Sequence, residues 1–310
     1  MFESSFKLLF PIFNQQIYNL MSKITFSRII AGTMNWGSWG KEFNSEEIIS
    51  LMNTCIEHGI TTFDHADIYG SYTTEANFGN AFKQSNINRK DIQLISKCGI
   101  AYVSPNRSTK IKHYNYSKDY IITSVETSIK NLKTDYLDAL LLHRPSPLME
   151  PNEIMEAIAK LGQEGKIKSF GVSNFTPSQV NLISSEVPIE INQIEFSLTQ
   201  NSALHGGALD QMMTNNIIPM AWSPLGMVFK EDTEQTRRIH KCLGSLLDKY
   251  SATENQLLLA WILKHPANIH PVIGTTNTNR IKEASDALTI DLELEDWFSI
   301  LVASQGHKVP

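Results

Sequence analysis

Short runs of β-branched and aliphatic residues alternate with longer segments of helical periodicity from residue 27 to the end of the chain. This alternation predicts an α/β fold with a parallel sheet. The strand-like runs lie at 28–32, 60–64, 92–97, 136–143, 169–172, 190–195, 218–222 and 271–274. The helical patterns lie at 44–58, 75–84, 118–132, 151–164, 177–184, 206–215, 234–250, 253–265 and 279–288. Together they form eight βα units.

Residue types at the ends of these segments support the assignment. Asn44 and Glu47 have the spacing of a capping box, in which each side chain accepts a hydrogen bond from the backbone of the other residue. Gly59 ends the helix that they begin. The strand before His143 is almost continuously apolar, as expected for a parallel strand that is covered by helices.

Eight βα units in roughly 280 residues are typical of a closed (β/α)₈ TIM barrel. The alternative is an open dinucleotide-binding sheet, which predicts a Gly-rich turn after its first strand. The chain contains neither GxGxxG nor GxxxxGK[ST], so the barrel is favoured. We find no Gly-, Ser- or Pro-rich linker and expect one domain over residues 23–310. Residues 1–22, which include an internal methionine, Met21, are interpreted as a non-essential N-terminal extension.

Composition and charge exclude several function classes. The chain has 310 residues with 27 Lys and Arg against 32 Asp and Glu, a formal net charge of −5, which disfavours nucleic-acid binding. Its N-terminal apolar stretch is too interrupted to span a membrane and lacks the features of a signal peptide. Three distant cysteines, Cys55, Cys98 and Cys242, fit a reducing compartment, so we expect a cytoplasmic protein. The histidines form no HExxH or HxH pair, so we expect no metal.

Four chemically active residues lie at the ends of successive predicted strands, where TIM barrels carry their functional groups. They are Asp64, Tyr69, Lys97 and His143. A free tyrosine has a pKa of about 10, so a phenol that donates its proton at neutral pH needs a nearby ammonium, here Lys97. Asp64 would hold Lys97, and His143 would orient a carbonyl oxygen by a hydrogen bond. None of the four is a good covalent nucleophile here, which disfavours acyl transfer. Reduction of a carbonyl also needs a reductant, which the protein must bind as a cofactor.

The later strand ends supply groups that suit a nicotinamide ring. Ser173, Asn174 and Gln193 offer hydrogen bonds to a carboxamide, and Trp222 offers a stacking surface. After the last strand, Arg280 and backbone N–H groups at a predicted helix start could bind a phosphate. Taken singly, each of these residues is an ordinary loop or core residue; the interpretation rests on their joint position on one face of the barrel.

At this point the motifs resemble those of the aldo-keto reductase superfamily. The matching segments are FDHADIYG at 63–70, SK at 96–97, LDALLLH at 137–143, GVSNF at 171–175, NQIE at 192–195 and AWSPLG at 221–226. They occur in the expected order and spacing over about residues 25–290. Because the chain ends at Pro310, soon after the last predicted helix, it is similar to the bacterial branch with a short C-terminal tail.

The resemblance implies reduction of aldehydes or ketones by NADPH without a metal, with Asp64, Tyr69, Lys97 and His143 as the catalytic tetrad and Tyr69 as the general acid. The residues that it implies for cofactor binding are Gly32, Thr33, Met34, Ser173, Asn174, Gln193, Trp222, Ser223, Leu225, Thr275, Asn279 and Arg280. Many members carry a lysine at Gly274 or Thr275 that pairs with the 2′-phosphate. This chain lacks it, so the preference for NADPH over NADH rests on Arg280.

The substrate pocket is expected in the loops around the tetrad, because loops on a rigid scaffold carry specificity. The candidates are Trp36, Trp39, Tyr102, His113, Tyr114 and Arg144. His65 and Cys98 are interpreted as structural. The physiological carbonyl compound, the direction of the reaction and the choice between a monomer and a small homo-oligomer stay open.

Two other functions remain as alternatives. The first is a cofactor-binding regulatory or partner subunit with weak reductase activity, which an exposed apolar patch would favour. The second is a lyase or aldolase in which Lys97 forms a Schiff base. That chemistry needs a lysine of lowered pKa, whereas Asp64 beside it would stabilise the charged ammonium.

Overall fold

Ten β-strands lie within residues 24–309, the part of the chain that the computed structural model describes. They are β1 (Ile30–Gly32), β2 (Thr62–Asp64), β3 (Gln93–Cys98), β4 (Ile100–Ala101), β5 (His113–Tyr114), β6 (Ala139–Leu142), β7 (Phe170–Ser173), β8 (Ile191–Glu195), β9 (Ile218–Trp222) and β10 (His270–Ile273). Eight of them form a closed barrel in the order β1, β10, β9, β8, β7, β6, β3, β2. The strands β4 and β5 pair separately as an antiparallel hairpin.

Eleven α-helices occupy the same described range. They are α1 (Ser45–Glu57), α2 (Thr74–Gln84), α3 (Lys118–Leu132), α4 (Pro151–Gln163), α5 (Pro177–Ser184), α6 (Ala208–Asn215), α7 (Glu234–Gly244), α8 (Leu247–Tyr250), α9 (Glu254–Leu263), α10 (Thr278–Asp286) and α11 (Leu294–Gln305). Short 3₁₀ turns lie at Arg89–Asp91, Ser202–Leu204 and Ala287–Thr289. The predicted (β/α)₈ TIM barrel is therefore confirmed, while the extension assigned to residues 1–22 lies outside the described residues.

The chain forms two compact units, each assembled from separate segments. The first includes Thr33–Ser50 and Thr62–Asn192. Its interior contains an aromatic cluster in which Trp36 and Phe78 pack on Phe63 with ring centroids 6.0 and 5.4 Å away. The second includes Ser27–Gly32, Leu51–Thr61 and the residues from Gln193 onward.

The aromatic core of the second unit is a stack of three rings. Trp261 lies between Phe196 and Trp297, with centroid distances of 5.6 and 5.0 Å. The indole N–H groups of Trp261 and Trp297 each donate to the backbone carbonyl of the other residue, at 3.2 and 2.9 Å. Because the buried N–H groups are paired, the stack excludes water without leaving a donor unsatisfied.

The capping box at the start of α1 is confirmed. The backbone N–H of Asn44 donates to Glu47 Oε2 at 2.8 Å, and the N–H of Glu47 donates to Asn44 Oδ1 at 3.0 Å. Gly59, which follows this helix, has a φ of +73°. That left-handed conformation is the usual way to end a helix and favours glycine.

Three features differ from the sequence-based expectation. The β4–β5 hairpin lies between the predicted strand 92–97 and the predicted helix 118–132, where no element was predicted, and its two-residue strands are too short to show alternation. The predicted helix 234–250 is divided at Ser245 and Leu246 into α7 and α8. The helix α11 was not predicted, although Trp297, Ile300 and Leu301 have helical spacing.

The backbone between β3 and the β4–β5 hairpin depends on one glycine, Gly99. Gly99 has a φ of +106°, and a Cβ at this position would lie 1.8 Å from Cε1 of the buried Tyr116. The ring of Tyr116 thus occupies the space that a side chain at residue 99 would need.

We therefore expect Gly99→Ala to lower the free energy of unfolding by about 2–4 kcal/mol, because it adds both a steric clash and backbone strain. Urea unfolding measures this change. Gly162→Ala is the control: Gly162 lies in α4 with open space around its Cβ position, so the same substitution should stabilise the protein by about 0.5–1 kcal/mol. Equal stability of the two variants would contradict the role of the Gly99–Tyr116 contact.

Candidate active site

The four residues proposed as a catalytic group all belong to the first unit. Asp64 is the last residue of β2, Lys97 lies one residue before the end of β3, and His143 directly follows β6. Tyr69 lies in the loop after β2. Because β2, β3 and β6 are neighbours in parallel register, their ends bring these side chains to one end of the sheet.

Lys97 is the centre of the group. Its side chain is 1% exposed, and its Nζ donates to Asp64 Oδ2 at 2.7 Å, to the backbone carbonyl of His65 at 2.8 Å and to the phenol oxygen of Tyr69 at 3.2 Å. An ammonium has three N–H donors. All three therefore have an acceptor in this site.

The charges in this site favour an ionised lysine beside a neutral phenol. Burial by itself lowers the pKa of Lys97, but the charge of Asp64 and the contact with Tyr69 outweigh it, so the pKa lies above its ordinary value. For Tyr69, desolvation raises the pKa more than Lys97 lowers it. At neutral pH the group therefore contains a charged Lys97 and a protonated Tyr69. This state disfavours the Schiff-base alternative, which needs a neutral amine.

His143 is a buried, neutral imidazole. Its backbone N–H donates to the carbonyl of Cys98 at 2.9 Å, and its ring meets that of Tyr69 edge-on with centroids 6.0 Å apart. Burial, followed by the charges of Lys97, Arg144 and Lys112, lowers its pKa well below the ordinary value. Its Nδ1 is buried without a hydrogen-bond partner among the described residues. A neutral imidazole with a free ring nitrogen can position a polar ligand.

His65 was expected to be structural, and its ring has a structural environment. Nδ1 pairs with Thr33 Oγ1 at 2.9 Å, and burial, followed by the charge of Lys97, lowers the pKa of the ring to about 3. The backbone carbonyl of His65, however, is one of the three acceptors of Lys97. Sequence reasoning missed this contribution, because a side-chain motif carries no information about main-chain acceptors.

Aromatic side chains border Tyr69. The ring of Trp39 lies 6.2 Å from that of Tyr69 and 5.5 Å from that of Tyr102. The hydroxyl of Tyr72 accepts a hydrogen bond from the backbone N–H of Tyr102 at 2.8 Å and fixes this wall. Trp36, in contrast, is only 2% exposed and packs in the core on Phe63 and Phe78, so its placement does not support a substrate contact.

The other proposed pocket residues lie farther along the chain of the first unit. His113 and Tyr114 form the exposed strand β5, and Arg144 is half-buried directly after His143. Met34, which was assigned to the cofactor, is exposed, whereas the neighbouring Thr33 is buried and donates to the carbonyl of Asp64 at 3.0 Å.

Ser173, the last residue of β7, and Asn174, which follows it, are two of the proposed cofactor ligands. Ser173 is buried, and its Oγ accepts a hydrogen bond from Nδ2 of Asn174 at 2.8 Å. Asn174 has a φ of +62°, an uncommon left-handed conformation that clusters at functional sites. Gly171 in the same motif is required by packing, since a Cβ there would lie 2.5 Å from the carbonyl oxygen of Ile191.

The second unit contains the remaining proposed cofactor ligands. Gln193 on β8 is buried, and Trp222 at the end of β9 is half-buried, as are Ser223 and Leu225. Ser223 has a φ of +53°. On β1, a Cβ at Gly32 would lie 3.2 Å from the carbonyl oxygen of Ile273.

A second left-handed residue, Gly226, ends the same loop with a φ of +54°. A Cβ there would lie 2.1 Å from Thr199 Oγ1, the atom that accepts the N–H of Met227 at 3.0 Å. The loop after β9 is therefore held close to the chain that follows β8. This fixed backbone explains why the AWSPLG segment ends in glycine.

The start of α10 contains the proposed phosphate ligands. Asn277 caps the helix and accepts the N–H of Arg280 at 3.1 Å, while Thr275 Oγ1 accepts the N–H of Asn277 at 3.2 Å. The side chains of Asn279 and Arg280 are exposed. Arg280 forms no ion pair with another residue of the described chain. One backbone N–H is thus already used by the cap, and the guanidinium is the main charged group available there.

Within residues 24–309, no group of three or more His, Cys, Asp or Glu side chains could hold a metal ion. No helix in this range is both long and apolar enough to cross a membrane.

The model of the Aldo/keto reductase family matches residues 28–301, which includes every strand of the barrel. The chain belongs to the aldo/keto reductase family.

The alignments with individual relatives cover nearly the full length of this chain. It is 43% identical over 301 residues to the uncharacterized oxidoreductase YcsN of Bacillus subtilis, covering 95% of this chain and 100% of the relative. It is 36% identical over 295 residues to a 6-dehydroglucose reductase of Agrobacterium fabrum, covering 94% and 98%. A solved aldo/keto reductase from Klebsiella pneumoniae, in complex with NADP and acetate, shares the fold with a TM-score of 0.73 at 24% identity, covering 89% and 90%.

We expect Asp64→Asn to lower the free energy of unfolding by about 3–5 kcal/mol, because it leaves the buried ammonium of Lys97 without a counter-charge. Denaturant unfolding measures the change. The control is Asp286→Asn, which breaks an exposed ion pair with Lys282 on α10 and should cost less than about 0.5 kcal/mol. A similar small loss in both variants would show that the Lys97–Asp64 pair does not stabilise the fold.

Proposed function

We propose that this aldo/keto reductase reduces aldehydes or ketones to alcohols with NADPH. The observation that carries the proposal is the contact of the buried Lys97 ammonium with both Asp64 and the Tyr69 phenol. This arrangement is suited to delivering one proton to a developing alkoxide at neutral pH. It is not suited to acyl transfer, because none of these groups is an activated covalent nucleophile.

Tyr69 is the proposed general acid. Its phenol donates its proton to the carbonyl oxygen of the substrate as that oxygen gains negative charge. Lys97 stabilises the phenolate that remains, and Asp64 holds Lys97 in place. Bound NADPH would supply the hydride that the carbonyl carbon accepts.

His143 is proposed to orient the carbonyl oxygen. Its pKa lies well below neutrality, so the ring acts as a neutral hydrogen-bonding group rather than as a second acid. A neutral ring beside the charged Lys97 also avoids a like-charge repulsion that would push the Tyr69 proton away before the reaction.

The chemistry of the strand ends supports a nicotinamide cofactor. Ser173, Asn174 and Gln193 offer buried or half-buried donors and acceptors that fit a carboxamide, and Trp222 offers a ring for stacking. The loop after β9, held by Gly226, would bring Ser223 and Leu225 to a pyrophosphate. A related fold from Klebsiella pneumoniae holds NADP, and the Agrobacterium fabrum relative is named as a reductase.

Tyr69→Phe should lower kcat by roughly 10²- to 10⁴-fold, the usual worth of a positioned general acid, while leaving the affinity for NADPH nearly unchanged. Steady-state kinetics with an aromatic aldehyde and a fluorescence titration with NADPH measure the two quantities. Tyr136→Phe is the matched control, since Tyr136 precedes β6 at the opposite end of that strand and its ring contacts with Arg89 and Lys168 survive the change.

Turnover of Tyr69→Phe close to that of the original protein would refute the proton-donor role. If the unaltered protein binds NADPH tightly yet reduces none of a panel of aromatic, aliphatic and dicarbonyl compounds, the regulatory-subunit alternative gains support. The titration together with the substrate panel therefore separates the two functions before any variant is made.

Arg280→Ala should weaken the binding of NADPH by at least about tenfold and the binding of NADH much less, because only NADPH carries the 2′-phosphate that an exposed guanidinium can pair with. Lys282→Ala, two residues along the same helix, removes a charge that is already paired with Asp286 and serves as the control. Equal losses for both nucleotides would mean that the 2′-phosphate binds elsewhere.

A further inference from the structure

The loops around Tyr69 and His143 have a charge pattern that the proposed reaction does not need. The loops 33–44, 99–117 and 143–150 contain five fixed cations and two acids, Glu42 and Glu150. The cations are Lys41, Arg107, Lys110, Lys112 and Arg144, and segment 99–117 contains no Asp or Glu. The whole chain has a formal net charge of −5, so the positive charge is a local property of these loops.

The loop after β2, residues 65–73, contains one acidic residue, Asp67. Asp67 is buried, and its burial, followed by the nearby Glu75, raises the pKa of its carboxyl well above the ordinary value. A carboxyl held toward its neutral form does not cancel the cations. The positive field around the reacting groups is therefore left largely uncompensated by this loop.

Arg144 is held at a fixed place in this field. The hydroxyl of Tyr116 accepts a hydrogen bond from the backbone N–H of Arg144 at 3.1 Å and donates one to its backbone carbonyl at 2.5 Å. Tyr116 is itself buried and packs against Gly99 at the entrance to the hairpin. The backbone of Arg144, which follows His143, is thus fixed by Tyr116, which lies between β5 and α3.

Both Arg144 and Lys112 act on the reacting groups. The charge of Arg144 contributes to lowering the pKa of His143 and opposes the rise in that of Tyr69, and the charge of Lys112 also contributes at His143. Arg144 directly follows His143 in the chain, and Lys112 directly precedes His113, which pairs with Ala101 three residues after the end of β3. Trp39 and Tyr102 form an aromatic wall beside the same phenol.

We propose that the substrate of this reductase carries an anionic oxygen group, a carboxylate or a phosphate, that binds Arg144 and Lys112 while its carbonyl oxygen contacts Tyr69. The proposal rests on the reductase function proposed above and names its substrate class. Guanidinium and ammonium groups bind carboxylate and phosphate oxygens through charge-assisted hydrogen bonds. A neutral substrate would lack the attraction between opposite charges.

The phosphates of NADPH are the competing explanation for the positive charge. The residues proposed to bind them, Ser223, Leu225 and Arg280, follow β9 and β10 in the second unit, whereas Arg144 and Lys112 follow β6 and β3 in the first. The affinity for NADPH therefore separates the two explanations. It should stay within about twofold in variants of Arg144 and Lys112 if these residues bind the substrate.

The test compares two matched pairs of substrates at saturating NADPH. The pairs are 4-carboxybenzaldehyde with its methyl ester, and glyceraldehyde 3-phosphate with glyceraldehyde. We expect kcat/KM to be at least about tenfold higher for the anionic member of one pair, mainly through KM, since a charge-assisted contact is of that size. The pair that shows the preference identifies the anion as carboxylate or phosphate.

Arg144→Gln and Lys112→Gln should each remove most of this preference, while Arg144→Lys should keep part of it. Lys83→Gln is the control, because it removes one exposed positive charge from α2, away from these loops. The measured quantity is the ratio of kcat/KM within a pair, which a general loss of folding or of catalysis would not change. Lys112 is exposed, so its variant keeps the test informative if Arg144→Gln folds poorly.

Equal kcat/KM values within both pairs would overturn the proposal, as would a preference that survives both Arg144→Gln and Lys112→Gln. A weaker binding of NADPH in these variants, with the substrate preference intact, would assign the cations to the cofactor instead. If only the neutral compounds are reduced, the proposed reductase function is retained and only the proposed anionic substrate class is contradicted. Failure to reduce any of the four compounds would contradict the reductase function itself.

Discussion

The buried ammonium of Lys97 is the interaction on which the site depends. A charged group in a protein interior is costly unless it is paired and its hydrogen bonds are satisfied. Lys97 meets both conditions through Asp64, the carbonyl of His65 and the phenol of Tyr69. These three acceptors come from β2 and the loop that follows it, so the strand pairing of β2 with β3 determines whether the site exists at all.

The surrounding carboxyl groups are arranged so that Asp64 is the main anion near Lys97. Glu75 accepts a hydrogen bond from Ser96 at 2.6 Å, yet its burial raises its pKa, and the same cause, joined by the charge of Glu75, raises the pKa of Asp67. Two more ionised carboxylates would compete for the ammonium and draw it from Tyr69. Asp64 is the carboxylate that Lys97 contacts directly, at 2.7 Å.

Sequence patterns predicted the repeating βα units of the structure and missed elements that do not repeat. The apolar runs predicted all eight barrel strands, because a parallel strand covered by helices must be apolar along its length. The strand ends then predicted the contact of Asp64, Lys97 and Tyr69, since parallel strands terminate on one side. The β4–β5 hairpin was missed because its strands are two residues long. The burial of Trp36 was missed because an aromatic residue after a strand can pack inward or line a pocket, and only the packed rings of Phe63 and Phe78 decide between them.

In the proposed function, the division between strands and loops also separates the residues that transfer the proton from those that select the substrate. Lys97, Asp64 and His143 are at or next to strand ends, where register and packing fix them, and a change there costs folding free energy as well as activity. The cations of the hairpin lie on exposed chain that contributes little to the core. Several contacts join these layers, among them Gly99 with Tyr116, Tyr116 with the backbone of Arg144, and Tyr72 with the backbone of Tyr102. Under the proposed function, substitutions could therefore alter the cations that bind the substrate without changing the proton-donating group, provided that Tyr116 and Gly99 at the base of the hairpin are kept.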